Sequence, residues 1–142
     1  MAGYSGTPLV KKLGIKPDFE VAFVNAPENF AKQLGLSASV HIKSASESKD
    51  VDLIVLFVTS QKQLTGAFAQ YSARIKPAGM LWVSWPKKAS GVQTDLNENI
   101  VREIGLASGL VDVKVCAVDD VWSGLKFVYR LSDRPKLKAA RR

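Results

Sequence analysis

The chain has few of the residues on which common metal and redox sites depend. It contains a single histidine, His41, and a single cysteine, Cys116, in 142 residues. One cysteine excludes an internal disulfide and suits a reducing compartment. His41 has no second histidine or nearby cysteine in the sequence, so no metal site is predicted around it. Cys116 lies between two apolar residues and is interpreted as a small core residue.

Long apolar runs and catalytic signatures are also missing. No run approaches the roughly 20 residues of a membrane span, and the N-terminus lacks the charged-then-apolar layout of a signal peptide. We therefore expect a cytoplasmic protein. The sequence contains no nucleophile elbow, no catalytic-triad signature and no Cys-x-x-Cys pair. It thus predicts no particular reaction, and the protein is expected to be a binding protein rather than an enzyme.

Positive charge is concentrated at one end of the chain. The formal net charge is +7, and the last nine residues carry five basic side chains and no acid. The rest has 15 basic and 13 acidic residues, so it is close to neutral. We predict a single domain over residues 1–133 and a flexible basic tail over residues 134–142.

Apolar runs predict alternating strands and helices. Strands are expected at residues 20–24, 39–42, 52–58, 80–85, 111–117 and 125–131. The runs 52–58 and 80–85 are continuously apolar, as in strands that are buried on both faces. The last two runs alternate apolar and polar residues, which is typical of a hairpin. Pro77 and Gly79 are expected to end the helix that precedes the fourth strand.

Right-handed crossovers reduce the possible topologies to a doubly wound, three-layer α/β sheet. The prediction is a Rossmann-like fold with strand order 2-1-3-4-6-5, in which the last two strands form an antiparallel hairpin. In such sheets ligands bind beyond the carboxyl ends of the strands, where the strand order reverses. The crevice is therefore expected between the first and third strands.

Several segments resemble the class I methyltransferase fold. They are Leu13-Gly-Ile-Lys-Pro17 before the first strand, Ile75-Lys-Pro-Ala-Gly79 before the fourth, and Gly124-Leu-Lys-Phe-Val128 in the hairpin. Residues 3–131 are also similar to an uncharacterised bacterial family, one of the domains of unknown function. That likeness rests on segments 3–9, 56–60, 85–91 and 118–125, and it brings no activity with it.

The chain departs from working methyltransferases at two places. Members that bind S-adenosylmethionine have glycines after the first strand and an acid at the end of the second. Here the first turn is Asn25-Ala-Pro-Glu28, and the second strand runs into Lys43 and Ser44. The resemblance therefore implies the fold without the cofactor, and no cofactor is predicted.

Three groups of residues are expected near the crevice. Asn25, Thr59 and Ser60 follow the first and third strands, where hydroxyls and helix amides can meet a polar or anionic ligand. The alternative is that Ser60 only caps its own helix.

The second group is the loop with Lys87, Lys88, Ser90 and Gly91, which follows the fourth strand. Two ammonium groups, a hydroxyl and a flexible glycine suit a phosphate or carboxylate, although the Walker spacing is absent. The alternative is a solvated basic turn.

The third group is Asp119, Asp120 and Trp122 in the hairpin turn. Paired carboxylates can share a proton or hold a cation, but no third ligand is identifiable, so no metal is predicted. The alternative is a purely structural turn. A pairing of either aspartate with Lys87 or Lys88 is a further possibility.

Three functions are consistent with these patterns. The first is a non-catalytic or cryptic module that binds an anionic small molecule on a degenerate methyltransferase-like scaffold. The second is a divergent S-adenosylmethionine-dependent methyltransferase. The third is a protein that binds nucleic acid or another partner through its basic tail.

Overall fold

The computed structural model describes residues 7–141, in which six strands form one sheet. The strands are β1 (Glu20–Val24), β2 (His41–Lys43), β3 (Val51–Phe57), β4 (Ile75–Pro86), β5 (Leu110–Ala117) and β6 (Trp122–Tyr129). Their order is β2-β1-β3-β4-β6-β5. The first four strands run parallel, and β6 is antiparallel to both of its neighbours. The predicted strand order and antiparallel hairpin are confirmed.

Helices cover both faces of the sheet. They are α1 (Leu9–Leu13), α2 (Phe30–Leu34), α3 (Gln61–Ser72), α4 (Glu98–Ala107) and α5 (Arg134–Ala140). Leu13 of α1 and Phe30 of α2 pack with Trp82 on one face. Phe68 of α3 packs with Phe127 on the other, with the ring centroids 5.1 Å apart. The three-layer architecture is therefore confirmed.

The start of β4 differs from the sequence prediction. Helix α3 ends at Ser72, and β4 already begins at Ile75, so the helix is not ended by Pro77 and Gly79. Pairing with β3 jumps from Val51↔Ile75 to Leu53↔Met80. Four residues of β4 therefore bulge opposite Asp52, and a bulge is a place where a strand tolerates proline.

Glycine is needed in that bulge. A Cβ atom at Gly79 would lie 3.0 Å from the Asp52 carbonyl oxygen, closer than side chains ordinarily come. The Asp52 side chain also holds the bulge, because its Oδ1 lies 3.0 Å from Lys76 Nζ. Its Oδ2 accepts the backbone N–H of Glu20 at 2.8 Å.

The segment predicted as a flexible tail contains helix α5. Arg134 Nε donates to the Tyr129 carbonyl oxygen at 3.1 Å. Arg141 Nη1 donates to the Ile75 carbonyl oxygen at 2.5 Å and lies 3.4 Å from Asp50 Oδ1. The two arginines thus bind backbone carbonyls at the amino-terminal edge of β4 and the end of β6. The lysines of α5 remain exposed.

Four connections open at the opposite edge, which we call the rim. They are residues 25–29 after β1, 58–60 after β3, 87–97 after β4, and 118–121 between β5 and β6. The last connection belongs here because β5 is antiparallel to β6, which is antiparallel to β4. All the turns that contain predicted site residues therefore lie at one edge of the sheet.

Candidate functional site

The turn after β1 bridges the expected crevice. Asn25 has a φ of 57°, a left-handed conformation that asparagine tolerates better than most residues. Its Nδ2 donates to the Phe57 carbonyl oxygen, at the end of β3, over 3.4 Å. Asn25 does not cap α2, whose N-cap is Asn29. The side chain of Asn25 thus spans the gap between the first and third strands.

The hydroxyls after β3 are engaged within the start of α3. Ser60 Oγ accepts the backbone N–H of Gln63 at 3.1 Å, which is an N-cap. The amide of Thr59 donates to Gln63 Oε1 at 3.0 Å. Ser60 therefore has the capping role that was the alternative to ligand binding, and an exposed Thr59 flanks it.

Asp95 is the rim residue whose position sequence reasoning missed. Its Oδ1 accepts the backbone N–H of Gln61 at 2.8 Å, so a carboxylate sits at the positive end of α3. The spacing of Asp95 and Glu98 is that of a capping box, which by itself indicates a cap for α4. The N-cap of α4 is instead Asn97, whose Oδ1 accepts the N–H of Ile100 at 2.9 Å.

The loop after β4 is a compact turn. Residues Lys88–Ser90 form a short 3-10 helix that ends at Gly91, where φ is 76°. Ser90 Oγ donates to the Lys87 carbonyl oxygen at 2.6 Å and accepts the N–H of Val92 at 3.2 Å. Ser90 and Gly91 therefore shape the turn. Lys88 is exposed, and over residues 7–141 no carboxylate lies within 4.0 Å of its ammonium or that of Lys87.

The hairpin turn between β5 and β6 is held by Asp119. Its Oδ1 accepts the backbone N–H groups of Val121 and Trp122, both at 2.8 Å. Trp122 packs edge-on against Phe57, with the ring centroids 5.0 Å apart. Asp120 is exposed. Asp119 and Trp122 thus have the structural roles that were the alternative to ligand binding.

The hairpin turn also contacts the loop after β4, but through the backbone. The Lys87 N–H donates to the Val121 carbonyl oxygen at 2.7 Å. In the part of the chain that the structure describes, neither Asp119 nor Asp120 forms a salt bridge with Lys87 or Lys88. No group of three or more metal-ligating side chains is found in that part either.

Two adjoining cavities lie between the loop after β4 and the start of α3, and we call them together the rim groove. One has a volume of about 450 Å³ and includes Lys88, Gly91 and Asn97. The other, of about 370 Å³, includes Thr59, Ser60 and Asp95. Gln93 and Thr94 line both. The groove thus has a lysine at one end and a carboxylate at the other.

The lone histidine and cysteine lie away from the rim groove. His41 is exposed on β2, at one edge of the sheet. Cys116 is buried on β5, at the other edge, and burial raises the pKa of its thiol. A raised pKa leaves the thiol protonated and weakly nucleophilic at neutral pH. Within residues 7–141 no helix is long and apolar enough to cross a membrane.

The Asp95 carboxylate supplies a testable link between the groove and α3. Asp95→Ala is expected to lower the free energy of unfolding by about 1 kcal/mol, because it removes a cap-like hydrogen bond from the first turn. Asp95→Asn keeps an acceptor oxygen and should cost only a few tenths of that amount through the lost helix-dipole interaction. Urea denaturation measures both, and equal losses would show that charge rather than the hydrogen bond matters.

Several solved structures with this architecture are named as methyltransferases or contain S-adenosyl-L-methionine. Fibrillarin from Aeropyrum pernix with bound S-adenosyl-L-methionine matches with a TM-score of 0.60 at 11% identity, over 89% of this chain and 70% of that chain. A Burkholderia thailandensis 1,6-didemethyltoxoflavin-N1-methyltransferase matches with a TM-score of 0.59 at 12% identity, over 89% and 78%. The chain has a class I methyltransferase fold. At such identities the likeness shows the fold alone.

A third match covers a larger share of the solved chain. Precorrin-6y C5,15-methyltransferase from Geobacter metallireducens matches with a TM-score of 0.56 at 11% identity, over 86% of both chains. No protein-family model matches the sequence. No curated protein matches it either. The three structural matches confirm the resemblance to the methyltransferase fold.

Two residues on the first two strands differ from the pattern that the resemblance implies for S-adenosylmethionine. Lys43 ends β2, where the resemblance implies an acid for the ribose, and its Nζ lies 3.6 Å from Glu20 Oε2. The Asn25 side chain crosses to Phe57, where the resemblance implies glycine and open backbone. These two positions thus depart from the pattern that the resemblance implies for this cofactor.

Proposed function

We propose that the protein binds a small anionic molecule in the rim groove. The observation that carries the proposal is an exposed Lys88, with no carboxylate within 4.0 Å among residues 7–141, in a groove of about 450 Å³ at the carboxyl ends of β3 and β4. Doubly wound sheets bind ligands at this edge. An ammonium group without a carboxylate partner attracts a phosphate or carboxylate, and charge-assisted hydrogen bonds are the strong ones.

The charges of the groove also orient the ligand. Asp95 already places a carboxylate at the positive end of α3. An anionic group is repelled from that end and belongs near Lys88, while a hydroxyl or amine of the ligand faces Thr59 and Asp95. The proposal therefore favours small phosphates or carboxylates that also carry hydrogen-bond donors, such as phosphosugars and hydroxy acids.

A thermal-shift screen of nucleotides, phosphosugars and carboxylates tests the proposal. A ligand at about 100 times its Kd stabilises the native state by about 2.7 kcal/mol. Lys88→Gln should weaken the affinity of a hit about tenfold or more, because it removes a charge-assisted hydrogen bond. Lys62→Gln removes one exposed positive charge from α3 and is the matched control. Equal responses of the two variants, or no hit in the panel, would count against the groove.

A second candidate is a divergent S-adenosylmethionine-dependent methyltransferase. It is favoured by the fold and by the left-handed backbone at Asn25 and Asn29, which have φ angles of 57° and 67° where glycine is usual. Calorimetric titration with S-adenosylmethionine and S-adenosylhomocysteine tests it. Saturable binding that tightens in Asn25→Gly would support it, since this change removes the side chain from the crevice. Absence of heat at millimolar ligand in both proteins would exclude it.

A further inference from the structure

The hairpin of β5 and β6 places an acidic and a basic side chain on opposite faces of the sheet. Asp112 lies opposite Phe127, whereas Lys114 lies opposite Lys126, with Val113 as an extra residue between them. A bulge of one residue turns positions 112 and 114 to opposite faces of the sheet. Asp112 consequently faces α4, where its Oδ2 accepts from Arg102 Nε at 2.9 Å. Lys114 faces the side that carries α1.

Three lysines lie on that side, and we call them the lysine face: Lys12, Lys114 and Lys126. Lys126 Nζ lies 5.9 Å from the centre of the Trp82 ring. The end of α1, with Lys12, is fixed there because Trp82 Nε1 donates to the Leu13 carbonyl oxygen at 2.9 Å. Over residues 7–141 no carboxylate lies within 4.0 Å of these three ammonium groups.

The protonation equilibria of neighbouring groups agree with this placement. The pKa of Lys126 is lowered, first by burial and then by the positive charge of Lys114. Burial raises the pKa of the Cys116 thiol, and the positive charges of Lys12 and Lys114 lower it by a smaller amount. Lys114 thus lies close enough to act on both Cys116 and Lys126, and Lys12 close enough to act on Cys116.

Such an arrangement costs some stability, which a bound anion would offset. Like charges directly opposite each other on neighbouring strands are destabilising. We propose that the lysine face binds the phosphate groups of a nucleic acid strand. The outer part of this sheet face suits an extended polyanion better than a small molecule, because Lys114 is exposed and Lys12 and Lys126 are half-buried beside it. Trp82 is fully buried and cannot stack on a base, so the contacts are to the backbone and independent of sequence.

Fluorescence anisotropy of a labelled 20-nucleotide single-stranded DNA, measured between 50 and 200 mM salt, tests the proposal. Each phosphate contact adds about 0.7 to the slope of log affinity against log salt. The variant Lys12→Gln/Lys114→Gln/Lys126→Gln should therefore lose about 2 from that slope. Over this salt range the wild type would lose roughly 20-fold more affinity than the variant.

The matched control is Lys62→Gln/Lys136→Gln/Lys138→Gln, which removes the same charge from α3 and α5. It is expected to keep the wild-type slope. No binding by the wild type at 50 mM salt, or equal slopes in the two variants, would overturn the proposal. A larger loss in the control would assign binding to α5 and would also overturn it. Thermal melting should show the lysine-face variant at least as stable as wild type, because a repulsion has been removed.

Discussion

Replacement of Trp82 by alanine is expected to lower the free energy of unfolding by about 3–5 kcal/mol. The Trp82 side chain is fully buried in the centre of the sheet, on the face that α1 and α2 cover. Its removal leaves a large cavity on that face. It also removes the Nε1 hydrogen bond to the Leu13 carbonyl oxygen, which attaches α1 to β4. Urea or thermal denaturation measures the loss.

A second variant separates the two contributions. Trp82→Phe keeps most of the apolar volume but leaves the Leu13 carbonyl oxygen without its donor, which should cost about 1–3 kcal/mol. If Trp82→Ala costs less than about 1 kcal/mol, the side chain is not part of the core as described. If Trp82→Phe is as harmful as Trp82→Ala, the hydrogen bond outweighs packing.

Gly105→Ala should destabilise the protein although alanine is the better helix former. Gly105 lies in the last turn of α4 against the Phe127 ring. An added Cβ would be 2.7 Å from Phe127 Cδ1 and closer still to the far edge of the ring. Since Phe127 is fully buried, α4 must move or the ring must leave its position. Overpacking of this kind costs about 1–3 kcal/mol, against a propensity gain near 1 kcal/mol.

Gly66→Ala provides the matched control in another helix. Gly66 is exposed in α3, and an added Cβ would have nothing within 4 Å. This variant is expected to gain about 0.5–1 kcal/mol, because alanine loses less backbone entropy than glycine. Melting temperatures should therefore move in opposite directions. A rise for both variants would mean that α4 does not pack on Phe127 as the structure has it.

The fold was predictable from the sequence to the extent that it depends on local patterns. β1 has the predicted bounds, and the strand order follows from right-handed crossovers and the alternating hairpin. The bulge at the start of β4 was not predictable. It depends on Asp52, which is 24 residues from its partner Lys76, and such long-range pairing leaves no local pattern.

The rim could be located from the sequence, but the roles of its residues could not. Turn chemistry correctly indicated that Ser60 caps α3. The capping-box spacing of Asp95 and Glu98 indicates the nearer helix because capping patterns are local, whereas the structure joins Asp95 to Gln61, 34 residues away. The same holds for Asn25, whose left-handed backbone turns its side chain toward Phe57. Tertiary contacts override local preferences at these positions.

The most direct test of the rim groove is a ¹⁵N nuclear magnetic resonance titration with the strongest ligand from the screen. We expect shifts concentrated in residues 87–97 and 59–61, and their loss in Lys88→Gln at the same ligand concentration. Shifts confined to the opposite edge, around Tyr129 and α5, would contradict the account, because the groove would then not be where this protein binds its ligand.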